Sequence, residues 1–97
     1  MNVLTPCIRV STLSRTASVA GSIAAAVRQQ PAVEVQAVGA GAVNQAVKAI
    51  ALAREYVRQD GFDLVCAPLL RRVEVTEGEE RTAVILEVRR WQLSTAT

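Results

Sequence analysis

The chain has 97 residues, 51% of them hydrophobic, and a formal net charge of +2. That length suits a single domain spanning 1–97, and the hydrophobic share excludes a disordered chain. The sequence contains no His, which removes the commonest general base and the commonest transition-metal ligand, so no enzyme, metal or other cofactor is expected.

In chain order, Cys7-Ile8-Arg9-Val10 reads as a short first strand. Ser14 or Thr16 is placed to cap the helix that follows, since a hydroxyl there accepts an unpaired backbone N–H. Apolar residues then recur at Val19, Ala20, Ile23 and Val27, the spacing of an amphipathic helix. With Arg9 and Arg15 ahead of it, this stretch superficially resembles a secretory leader. It is too short to cross a bilayer, and Arg28 and Gln29 continue the helix without a break. Pro31 stops it, because proline lacks the donor that would continue the ladder.

Val33 to Ala37 alternates with period two, as a half-buried strand does. Gly39-Ala40-Gly41 turns the chain into a second helix over 42–59, which Gly61 ends. Strands follow over 64–75 and 82–89, joined by a turn at Glu77-Gly78. The core is expected over about 7–90, with 91–97 as a tail. Cys7 and Cys66 lack the spacing of a zinc site or redox pair and read as buried structural thiols. Without a secretory signal they suggest a reducing, cytoplasmic compartment and no membrane association.

The order is β-α-β-α-β-β. Right-handed crossovers place both helices on the same side of the sheet, an α/β two-layer sandwich with a four-stranded mixed sheet. Val33 and Val35, Val73 and Val75, and Val84, Leu86 and Val88 make its apolar face. Glu34, Gln36, Arg72, Glu74, Glu87 and Arg89 alternate onto the other, a solvated face essentially without the aromatic side chains that stack RNA bases. On the second helix Val43, Val47, Ile50 and Val57 form the core stripe. Asn44, Gln45 and Lys48 cluster on a different arc just past the glycine turn, followed along it by Ala51 and Leu52. The middle of this helix is apolar nearly all round, which predicts a second contact surface, with Ala51 and Leu52 at a homodimer interface. A small core with only Tyr56, Phe62 and Trp91 as aromatics also favours oligomerisation.

A glycine pair between strand and helix lets a ligand approach the backbone, and the helix start offers free N–H groups to a phosphate. The pattern lacks the third glycine of a dinucleotide fingerprint and the Gly-Lys-Ser/Thr ending of a P-loop, and it also fits a bare structural turn. The run from Val38 to Arg54, Val-Gly-Ala-Gly-Ala-Val-Asn-Gln-Ala-Val-Lys-Ala-Ile-Ala-Leu-Ala-Arg, closely resembles the signature of the stage V sporulation protein S family. Three further segments match its pattern: Val10-Ser11, Ser18-Val19-Ala20-Gly21, and Gly78 through Ala83. The resemblance covers about 8–89.

The resemblance implies an Alba-like fold with strand order 1-2-4-3. The third strand is then at an edge, where Pro68 is tolerated, and Cys7 and Cys66 do not pair. It also implies a bacterial, regulatory homodimer that binds DNA or RNA through the glycine turn, the loop after the first strand and the hairpin arms. Gly39, Gly41, Asn44, Gln45 and Lys48 match the family motif. In the first loop Leu13 stands where the family usually carries Lys, with Arg15 close by. The hairpin tip, Glu77-Gly78-Glu79-Glu80, is acidic as in the family and ill-suited to a DNA groove.

Three functions remain open on the sequence. The first is a homodimeric nucleic-acid-binding regulator with Arg15, Gly39, Gly41, Asn44, Gln45 and Lys48 as contacts. The second is a protein–protein assembly factor that never touches nucleic acid, those polar residues bonding across an interface. The third is an enzyme or phospholigand sensor at the glycine turn, for which Lys48 has no visible catalytic partner.

Overall fold

The computed structural model describes residues 5–92. Six elements follow the expected order: β1 (Cys7–Val10), α1 (Thr16–Gln29), β2 (Ala32–Ala37), α2 (Ala40–Val57), β3 (Phe62–Thr76) and β4 (Glu79–Gln92). A short 3-10 turn, Arg58–Asp60, links α2 to β3. The sheet order is β1-β2-β4-β3. β1 runs parallel to β2, whereas β4 is antiparallel to both of its neighbours, so the sheet is mixed and β3 is an edge. Pro68 sits on that edge, where a missing donor disturbs a ladder on one side at most.

The core lies between one face of the sheet and the two helices. Val19, Ala20, Ile23, Ala24 and Val27 of α1 are buried at helical spacing against Val33, Val35, Leu86 and Val88 of the sheet. The inward face of α2 differs from the expected valine stripe. Ala42, Ala46, Ala49, Ile50, Ala53 and Val57 are buried, Val43 is half-buried and Val47 is 52% exposed. The buried arc is rich in alanine because small side chains let α2 approach α1 and the sheet closely, and valine is displaced to the rim.

The phase of β3 also differs from expectation. Cys66 opposes Val88 and Leu70 opposes Val84, so the even-numbered residues of β3 share the helix side of the sheet. Val73 opposes Arg81 on the open face, and Arg72 and Glu74 take the helix side. Phe62 and Leu64, buried at the start of the strand, set this phase. A bulge between Glu74 and Thr76 then breaks the alternation at Val75, which is exposed.

On the open face, Arg71 of β3 reaches across β4 to the Glu34 carboxylate of β2, with bonds of 2.8 and 3.1 Å. Beneath this lattice of charge Ile85 and Ala83 are fully buried. The face does carry one aromatic side chain, Trp91, which opposes Asp63 and is 59% exposed. Trp91 and Gln92 therefore belong to β4 rather than to a tail; the remainder of the expected tail, 93–97, lies outside the described residues.

Cys7 and Cys66 are free, on strands at opposite edges of the sheet, and both are exposed rather than buried. Cys7 alternates away from Ile8 and Val10, and Cys66 lies on a stretch of β3 that is exposed along its whole length. Strands of 15 and 14 residues make the β3–β4 hairpin the longest feature of a molecule measuring 54 × 33 × 18 Å.

Candidate functional site

β1 and β2 are parallel neighbours, so the loops leading into α1 and α2 emerge from the same end of the sheet. At that end Gly39 adopts φ 92° and ψ 156°, a conformation essentially closed to residues with a Cβ. Its carbonyl accepts the Val43 N–H at 3.0 Å, which starts α2 at once. Gly41 has no such backbone demand. A Cβ there would lie 2.4 Å from Thr12 Cγ2, so this glycine exists to let the helix touch the loop after β1.

That loop is held by its own hydroxyls. The Ser11 N–H donates to Ser14 Oγ at 2.9 Å, the Ser14 N–H to the Ser11 carbonyl at 3.1 Å, and the Leu13 N–H to Ser11 Oγ at 3.2 Å. Ser14 is therefore committed to the loop and does not cap α1, and Thr16 is the first residue of the helix; the N-cap is Arg15, with no side-chain cap bond. From α2, Gln45 Nε2 donates to the Ser14 carbonyl at 2.9 Å and ties the loop down. Leu13 is left at the apex, 89% exposed.

Both helices thus begin side by side, without a side-chain cap and without an acidic residue in the first turn. Their unpaired N–H groups and dipoles make this end electropositive. The side-chain charges reinforce it. Among the described residues five arginines are ion-paired: Arg28 with Asp60 (2.6 Å), Arg54 with Asp63 (2.8 Å), Arg71 with Glu34 (2.8 Å), Arg72 with Glu80 (3.3 Å) and Arg89 with Glu87 (2.9 Å). Arg9, at the end of β1, Arg15, at the start of α1, and Lys48, two turns into α2, are in none of these pairs. Hydrogen bonds from Arg54 and from the Leu64 N–H hold the Asp63 carboxyl down to about 2, and the Arg71 guanidinium lowers that of Glu34.

The expected contact residues separate by role. Gly39 and Gly41 shape the backbone, and Gln45 braces the loop. Arg15, Asn44 and Lys48 are exposed, and their side chains form no hydrogen bond or ion pair with another described residue. Ala51 is exposed, whereas Leu52 is half-buried against the core. Apolar surface is also exposed at Val47 and, on the helix side of β3, at Cys66, Pro68 and Leu70, the last 73% exposed. Sequence reasoning missed Arg9 and Thr12. A cleft of about 340 Å³ opens beside them, between the end of β1 and the far part of β3. Among the described residues no group of three His, Cys, Asp or Glu side chains is placed to hold a metal, and no helix is long and apolar enough to cross a membrane.

A mixed sheet of this order, with two helices on one face and a glycine turn into the second, is an α/β sandwich consistent with the Alba-like class. Within that class the chain belongs to the family described as Stage V sporulation protein S (SpoVS), whose sequence profile matches residues 6–91. It is not a known enzyme family.

Proposed function

We propose that this protein is a non-enzymatic, cytoplasmic regulator that binds DNA or RNA as a homodimer, using the end of the fold where both helices begin. The observation that carries this reading is the pair of uncapped helix starts at one end of the fold, with Arg9, Arg15 and, farther along α2, Lys48, cations in no ion pair with a described residue. A polyanion is the complementary partner, since each phosphate contact replaces condensed counterions. The acidic hairpin tip is not a contact arm. Glu80 is already paired with Arg72, and Glu79 accepts from Thr76 Oγ1 at 3.2 Å. The exposed apolar patch of Val47, Ala51, Cys66, Pro68 and Leu70 serves the second copy.

The same patch, together with Leu13 at the loop apex, supports the alternative reading of an assembly factor that binds only protein. Salt-dependent titration against duplex DNA, single strands and structured RNA separates the two. Under the nucleic-acid reading Lys48→Ala lowers the slope of log affinity against log salt by about one for each lost contact. Arg54→Ala, whose cation is already occupied by Asp63, leaves the slope unchanged. Equal effects of the two substitutions would defeat the site. Sedimentation equilibrium checks the dimer: Val47→Glu shifts a species of twice the chain mass toward monomer.

A further inference from the structure

The cleft beside the glycine turn, open to solvent and about 340 Å³ in volume, is lined by Arg9, Ser11, Thr12, Gln36, Glu74 and three valines. That volume is within the range of small-ligand sites. Its lining supplies one cation, one carboxylate, the Thr12 hydroxyl and an amide among three valines, with the Ser11 hydroxyl already accepting from the Leu13 N–H. Arg9 and Glu74 both border this cleft yet form no ion pair with each other or with any other described residue.

Glu74 opposes Glu80 in the β3–β4 register, but Arg72 is taken by Glu80, which leaves Glu74 without an ion-pair partner among the described residues. The bulge at Glu74–Thr76 bends the strand just there, a device that re-aims side chains next to binding sites. Thr12 belongs both to the cleft and to the contact with Gly41, so the cleft adjoins the start of α2.

We infer that this cleft binds a guanine base. The inference rests on the nucleic-acid reading, and it names the part of the ligand that would enter once a phosphate is held at the helix starts. A carboxylate accepts from two donors side by side, and guanine offers N1–H and the N2 amino group in that arrangement. Its O6 and N7 form an acceptor edge of the kind a guanidinium reads bidentately. Adenine and cytosine place a ring-nitrogen acceptor beside their amino groups, and uracil and thymine flank one N–H with two carbonyls. Each would set an acceptor against Glu74. The bound strand is then single, because a base paired in a duplex has its N1–H and N2 amino group occupied.

The test compares a short labelled oligothymidylate with the same strand carrying one central guanine or one central adenine. The expected result is about a tenfold gain for guanine, the discrimination of one bidentate base contact, and no gain for adenine. Glu74→Gln, isosteric and on an exposed strand, should abolish the guanine-to-thymine affinity ratio, and Arg9→Gln should reduce it. Equal affinities in the wild type, or a guanine gain that survives Glu74→Gln, overturn the proposal. If no strand binds, calorimetric titration with guanosine monophosphate decides. Binding that Glu74→Gln removes supports the cleft and overturns the nucleic-acid reading, and no binding overturns both.

Discussion

At the end of the helical layer where α2 finishes, Arg28 reaches Asp60 from α1, and its second nitrogen donates to the Tyr56 carbonyl at 3.1 Å. Arg54 grips Asp63 with two bonds of 2.8 and 2.9 Å, and Arg90 lies 5.7 Å above the Phe62 ring. At the end where both helices start, Arg9, Arg15 and Lys48 have no such partner among the described residues; elsewhere Arg58 and Arg81 have none either. The same residue types thus do two jobs. At the closed end Arg28 and Arg54 each fasten one element to another through a carboxylate. Where helix dipoles already supply positive potential, added cations raise it further, which costs the fold and favours an anion, as the proposed function requires.

That contrast can be broken most severely at Gly39. Because its φ and ψ exclude a Cβ, Gly39→Ala should cost about 1–3 kcal/mol in a denaturant titration. A neutral substitution would mean that the open end is not built around this turn. Gly41→Ala should cost about 1 kcal/mol by crowding the loop. Thr12→Ser, which removes the methyl that a new Cβ would meet, should return much of that loss in a double-mutant cycle. Without such rescue the helix–loop contact is not what the second glycine serves.

At the closed end the effects are smaller. Arg54→Ala should lower stability by about 0.5 kcal/mol, the worth of an exposed ion pair, and leave oligonucleotide affinity untouched. Acid sharpens the same point. Asp63 has an ordinary carboxyl value of 3.8 when unpaired and about 2 when folded, so its contribution is present above about pH 4 and is lost as the pH falls toward 2. In Asp63→Asn the melting temperature should fall less steeply over that interval.

Much of the fold is legible in the residues, for identifiable reasons. Pro31, Gly39 and Gly61 punctuate the chain where elements end, and Val33 to Ala37 alternates cleanly. The β3 phase is illegible because Val65 through Leu70 is an unbroken apolar run, consistent with either face. The inward face of α2 hides for a related reason: alanine signals neither burial nor exposure, so the valines draw attention to the wrong arc. The site divides in the same way. Gly39 declares itself through its position between strand and helix. The need for Gly41 arises from Thr12, far away in sequence, and the bond from Gln45 to Ser14 spans the same gap. The unpaired state of Arg9 and Glu74 is a property of what surrounds them, which no linear pattern encodes.

The alanine stripe on α2 has a mechanical consequence. Ala42, Ala46, Ala49 and Ala53, with Ala20 and Ala24 on α1, interleave with the buried Ile23, Val27, Ile50 and Val57, so short or branched side chains make most of the contact between the layers. Such close packing resists sliding of the helices over the sheet. Gly41 against Thr12 and Gln45 against Ser14 lock the rim where both helices start. The separation between the two helix starts is therefore a fixed gauge rather than an adaptable grip, and any ligand that engages both must already carry charges at that spacing.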